Sequence, residues 1–148
     1  MTANAQASSA TFALDTRRWS SAAIVDLDAP MSVESQPLSQ QRLEELASAD
    51  PDELFRVVQD DGLAVPLLTY AAEALGMVPA THFHQAAQLL RRLLAHDHAV
   101  VREGAVYGIA GIAERSPAVL AFLEPMNGPD EPSPGVRAAV ADILDRSE

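Results

Sequence analysis

Residues 93–115 read LLAHDHAVVREGAVYGIAGIAER. A short polar stretch, His96-Asp97-His98, breaks one apolar run and opens another, in which Val101, Ala105, Val106, Gly108 and Ile109 recur at helical intervals. Those intervals put the five residues on one helix face, and the small ones among them let a neighbouring helix come close. The stretch predicts the end of one helix, a tight turn, and a second helix made to be packed against others.

The pattern recurs 34 residues earlier and 35 residues later: Leu67, Ala71, Ala72, Ala74 and Leu75 on one side, Val136, Val140, Ala141, Ile143 and Leu144 on the other. Punctuation around these segments divides the chain from Ser39 onward into seven predicted helices, at 39–48, 50–61, 65–76, 82–96, 99–115, from Ser116 to just before Pro125, and from Ser133 almost to the end. Asp50 is placed to cap the second, with Pro51 in its first turn and Glu53 completing a capping box. Gly62 reads as a stop signal, and Ser116-Pro117 and Ser133-Pro134 repeat one start signal. Phe83, Ala87, Leu90 and Leu94 share a face of the fourth helix. Only the connector from Pro125 to Pro132 is longer, with a polar turn at Asn127-Gly128-Pro129. Short connectors between amphipathic helices imply antiparallel neighbours, hence an all-α stack of helical hairpins.

On these residues the chain resembles the HEAT-repeat family in the short form common in bacteria, over about residues 50–146. Val101-Arg102 after the His96-Asp97-His98 loop, and Val136-Arg137 in SPGVRAAVADIL (133–144), carry the resemblance, whereas Leu68 stands where the first repeat would have its arginine. The resemblance implies a right-handed α-solenoid of about three hairpins over residues 39–148, each burying its apolar face on the next. It also implies that Arg102 and Arg137 pair with acids across their hairpins, for which Asp97 is a candidate. Similar proteins serve as scaffolds, adaptors, inhibitors or immunity-type binders, so the implied activity is binding and not catalysis.

Composition narrows the partner. The 148 residues include 21 acids and ten basic residues, all arginine, for a net charge of −11. Such a surface repels phosphate backbones, which argues against nucleic acid and for a protein partner with a basic surface. Residues 39–78 carry eight acids against Arg42 and Arg56, while residues 79–148 carry nine against six arginines, so the acidic end is the N-terminal half of the helical region. With no cysteine, disulfides, thiolate zinc sites and cysteine nucleophiles are excluded. No apolar run approaches the roughly 20 residues of a membrane span. The start MTANAQASSATF lacks the pattern of a signal peptide, so a cytoplasmic location is expected.

Residues 1–38 are rich in Ser, Ala, Thr and Pro and show no helical period, which predicts an extended arm. Phe12, Leu14, Trp19, Ile24, Val25 and Leu27 make it more apolar than a disordered tail, and Ala22 to Leu27 is compatible with a short strand. Packing back over an exposed apolar end of the helices is the favoured expectation; contact with the partner, with Trp19 as anchor, is the other.

The residues that could carry chemistry are few. His82 with His84 and His96 with His98 suggest metal, but the two pairs stand roughly 20 Å apart on one helix, and His96-Asp97-His98 suits a turn. No His-Glu step, phosphate loop, nucleophile elbow or HExxH is present. The alternative to a binder is a helical-repeat enzyme or maturation factor with a histidine-based metal site; the leading expectation has no catalytic residues, no metal and no cofactor. Arg17-Arg18 and Arg91-Arg92 read as solvated faces or ion-pair donors. Among the acids, Glu44, Glu45, Asp50, Asp52, Glu53, Asp60 and Asp61 are densest. Helix starts account for those near Asp50, which leaves Asp60 and Asp61, at an expected helix C-terminus, as the first candidates for partner binding. Glu44 and Glu45 are further candidates, and Tyr70 and Tyr107 would anchor a partner if exposed. Self-association through uncapped ends of a short array is a third possibility.

Overall fold

The computed structural model describes residues 38–147. The expected arm, with Trp19 and the strand-like stretch, lies outside the described residues except for Leu38. The described residues fall into two units, Asp60–Ala64 belonging to the first and Ser39–Gln59 with Val65–Glu148 making the second. The second is all-helical in its described residues, with α1 Gln40–Ala49, α2 Pro51–Val58, α3 Val65–Ala74, α4 Phe83–Leu93, α5 Ala99–Ala113 and α6 Pro134–Arg146, and 3₁₀ segments at Leu75–Met77, Ala80–His82 and Pro117–Met126.

The starts at Asp50 and Ser133 follow the predicted signals, and Ser39, expected only as the first residue of its helix, acts as a cap too. Ser39, Asp50 and Ser133 accept hydrogen bonds from the backbone N–H groups of Arg42, Glu53 and Val136, which caps α1, α2 and α6. The capping box at α2 is not completed. The N–H of Asp50 already closes α1 by donating to Leu46 O, and the Glu53 carboxylate is taken by Arg56.

Four elements depart from expectation. α4 ends at Leu93, three residues before the expected His96, where the N–H groups of Ala95 and His96 turn back onto Arg92 O and Leu93 O. α2 stops at Val58, three residues early, because the Gln59 side chain donates back to Phe55 O at 2.9 Å and Asp60 turns the chain. α3 gives way to a 3₁₀ turn after Ala74, ahead of Pro79, and Val78 is extended, the conformation favoured before a proline. The sixth expected helix is 3₁₀ over Pro117–Met126 and runs through Pro125. Ser116 leaves its first turn uncapped and Pro125 has no N–H to offer, so little α ladder fits between the two prolines.

Alternate elements form two layers. In one, α1, α3, α5 and α6 pack each on the next; in the other, α2, α4 and the 3₁₀ segment Pro117–Met126 pack against them, with α2 meeting α4. Rings and guanidinium groups tie the second layer together: Phe55 lies 5.9 Å from the His82 ring, Arg115 lies 5.0 Å over Phe83, and Arg91 lies 5.3 Å over Phe122. The core between the layers is aliphatic, with Leu43, Leu54, Leu75, Leu90, Ile109, Leu123 and Val136 fully buried. The largest of its contacts is the seam of α3 with α5. A Cβ at Gly104 would stand 2.7 Å from Thr69 O, one at Gly111 2.7 Å from Gly76 O, and one at Gly108 would overlap Ala72 O. Backbones meet there, so the small residues of the repeat pattern are a packing requirement. The first and last helices expose polar side chains: Gln41, Glu44, Glu45 and Ser48 on α1, and Asp142, Asp145 and Arg146 on α6.

Candidate functional site

Two groups of charged side chains stand out, one turned inward and one outward. Inward, Glu131 is 6% exposed although it sits in the connector before α6. Arg102 of α5 grips it through both arms of its guanidinium, Nε to Oε1 at 3.0 Å and Nη2 to Oε2 at 2.8 Å. The remaining arm of Arg102 donates to His96 O at 2.8 Å and Asp97 O at 3.1 Å. Glu131 Oε2 also accepts from Ser133 N–H at 2.8 Å, and Arg137 donates to the Glu131 carbonyl. The hydrogen bond from Arg102, with that of Ser133, holds the Glu131 carboxyl below its ordinary range in spite of burial.

The arginines at matched positions thus do matched work. Arg102 reaches the carbonyl six residues before it and Arg137 does the same, just as Val101 and Val136 are both fully buried. The carboxylate partner of Arg102 is Glu131; Asp97, the candidate from sequence, offers its backbone carbonyl instead. His96 Nδ1 accepts from His98 N–H at 3.0 Å, so the His96-Asp97-His98 stretch is engaged in making the turn. His82 is held by Thr81 at 3.0 Å. Among the described residues no group of three or more His, Asp or Glu side chains is placed to hold a metal ion.

Outward, α1, α3 and α5 present Glu44, Glu73 and Glu103 from three successive helices of one layer. Glu73 feels both others: partial burial first, then the negative charges of Glu44 and Glu103, push its carboxyl above the ordinary range. Tyr70 and Tyr107, 37% and 41% exposed, belong to the same face, since Tyr70 precedes Glu73 by three residues and Tyr107 follows Glu103 by four. Seam contacts of Thr69 with Gly104 and Ala72 with Gly108 set α3 beside α5 in a register that puts Glu73 close to the level of Tyr107.

Of the residues proposed from sequence, Glu44, Tyr70 and Tyr107 are therefore brought together. Glu45 is occupied on α1 by Arg42 at 3.5 Å and Gln41 at 3.3 Å. Asp60 and Asp61 fall in the other unit, and Asp60 has a local role, its Oδ1 accepting from Gly62 N–H at 2.9 Å in an Asx turn. Trp19 lies outside the described residues. Sequence reasoning passed over Glu73, Glu103 and Glu131. The first two could have been found by asking which acids oppose the Ala/Gly face of their helices, and the third by noting that Glu131 follows His96 by the same 35 residues that separate Arg137 from Arg102.

No helix among the described residues is long and apolar enough to cross a membrane. Comparison with protein-family models, with characterised proteins and with solved structures finds no match to this chain.

Proposed function

We propose that this chain is a non-enzymatic protein-binding module, a HEAT-like solenoid acting in the cytoplasm as an adaptor or as an inhibitor of the immunity type. Its partner is a protein with a basic surface, held on the outer face of α1, α3 and α5. The observation that carries this reading is the placement of Glu44, Glu73 and Glu103 on successive packed helices beside the exposed rings of Tyr70 and Tyr107; carboxyls that repel one another gain from a cation that approaches them. The internal match of Arg102 and Arg137 supports the repeat, and a net charge of −11 favours a protein over a nucleic acid.

Tagged protein would be used to retain partners from its native lysate at low and high salt, alongside the Glu44→Gln, Glu73→Gln, Glu103→Gln triple variant. A basic protein held at low salt, released at high salt and lost in the variant is the expected result. Retention of the same proteins by the variant, or of none at either salt, would sink the reading.

A further inference from the structure

The large apolar side chains left exposed among the described residues are Tyr70, Met77, Val100 and Tyr107. Three of them share the outer face of α3 and α5 with Glu73 and Glu103, since Val100, Glu103 and Tyr107 are spaced by three and four residues along α5. Among the described residues no partner is seen for this face, and its two kinds of side chain are separate observations. Carboxylates alone ask for a positive charge of any form. Half-exposed phenol rings on the same face as those carboxylates ask for a cation that is also flat.

We infer that this face docks an arginine side chain displayed by a protein partner, in preference to a lysine. The inference rests on the binding-module reading and adds to it the chemistry of the anchor. Guanidinium is planar and weakly hydrated, stacks on aromatic rings and forks onto carboxylates, whereas an ammonium is a compact, strongly hydrated point charge. Charge complementarity sets the sign of the occupant, because the charges acting on Glu73 are those of Glu44 and Glu103, both negative. The arginines nearest to Glu44 and Glu103 in sequence are committed elsewhere: Arg42 pairs with Glu45, and Arg102 is turned inward to Glu131. The molecule already uses both halves of the recognition within its own fold. Arg102 forks onto a carboxylate, and Arg91 and Arg115 lie over aromatic rings at 5.3 and 5.0 Å. On the outer face the carboxylates and rings are present and the arginine is left for the partner to supply.

Three synthetic peptides of one neutral backbone, carrying arginine, lysine or glutamine at the same positions, would be titrated into the full-length isotope-labelled protein, following amide shifts. The arginine peptide should bind about threefold or more tightly than the lysine peptide, with shifts centred on Tyr70, Glu73, Glu103 and Tyr107. The Tyr70→Leu, Tyr107→Leu variant should erase that preference, and Glu73→Gln, Glu103→Gln should weaken both cationic peptides. Equal binding of the two cationic peptides would overturn the arginine inference and leave the basic-partner reading standing. Binding of neither would overturn both, and shifts centred away from these four residues would overturn the placement. The map on the unsubstituted protein decides the placement even if a variant fails to fold.

Discussion

Glu131 and Glu73 are both carboxylates that the fold partly or wholly removes from water, and their surroundings answer in opposite ways. Around Glu131 lie Arg102, the N–H of Ser133 and Arg137, enough to keep a 6%-exposed side chain ionised. Around Glu73 lie two more carboxylates. The first region spends its charges inward, tying the connector before α6 to α5. The second leaves its charges unneutralised on a face that carries exposed aromatic rings. A satisfied buried ion pair fixes a loop, whereas like charges with no cation beside them among the described residues favour the approach of one.

The widest gap between the two regions should appear in stability. Arg102→Ala strands the Glu131 carboxylate in the interior and removes the donor to the carbonyls of His96 and Asp97. A cost of about 3–5 kcal/mol is expected in urea unfolding, the range for breaking one side of a buried pair. Arg102→Lys should recover only part of it, since an ammonium cannot fork. A loss under about 1 kcal/mol would mean that Glu131 is solvated and that the contrast with Glu73 is false. The seam below the outer face comes next. Gly108→Ala should cost about 2–3 kcal/mol, even though alanine is the better helix former by about 1 kcal/mol, because the new methyl would meet Ala72 O and, at 2.6 Å, Leu90 Cδ2. Backbone oxygen cannot swing aside, so α3 and α5 must part, and the outer face with them. A neutral or stabilising result would show that the seam is looser than its contacts indicate.

How much of this was legible in the sequence depends on the range of the interaction involved. Local signals read well: Ser39, Asp50 and Ser133 cap the helices they precede, and the Ala/Gly pattern marks the α3–α5 seam. Local competition misled where the backbone had a second option, as at Gln59 and Asp60, whose side chains bond the nearby main chain and stop α2 early. Pro117–Met126 has an apolar pattern compatible with α or 3₁₀ turns, and only the missing cap and the second proline separate them. Long-range pairing was the least visible. Glu131 is 29 residues from Arg102, inside a stretch whose Asn127-Gly128-Pro129 reads as a solvated turn. Glu73 and Glu103 look like ordinary polar positions of alanine-rich helices until stacking brings them to one face with Glu44.

The smallest effect is also the one that tests the outward region alone. Glu73→Gln keeps the shape and removes the charge, so at neutral pH it should stabilise the protein by about 0.5 kcal/mol, a figure kept low because the group is partly exposed and screened. The sign follows from linkage. With its folded value raised above the ordinary 4.5, Glu73 penalises the folded state at all pH above that raised value, and the penalty fades as pH falls through it toward 4.5, so the advantage of Gln should fade over the same window. Glu131 behaves oppositely: its lowered value contributes stability above 4.5 that is lost as pH falls through the folded value. Salt then divides the causes acting on Glu73. Repulsion from Glu44 and Glu103 is screened at 1 M salt, where the Debye length is about 3 Å, whereas burial is not, so part of the advantage of Gln should vanish and part should remain. An advantage untouched by salt would assign the whole effect to burial and remove the electrostatic argument for a basic partner; destabilisation by Glu73→Gln would mean that a cation already neutralises the face.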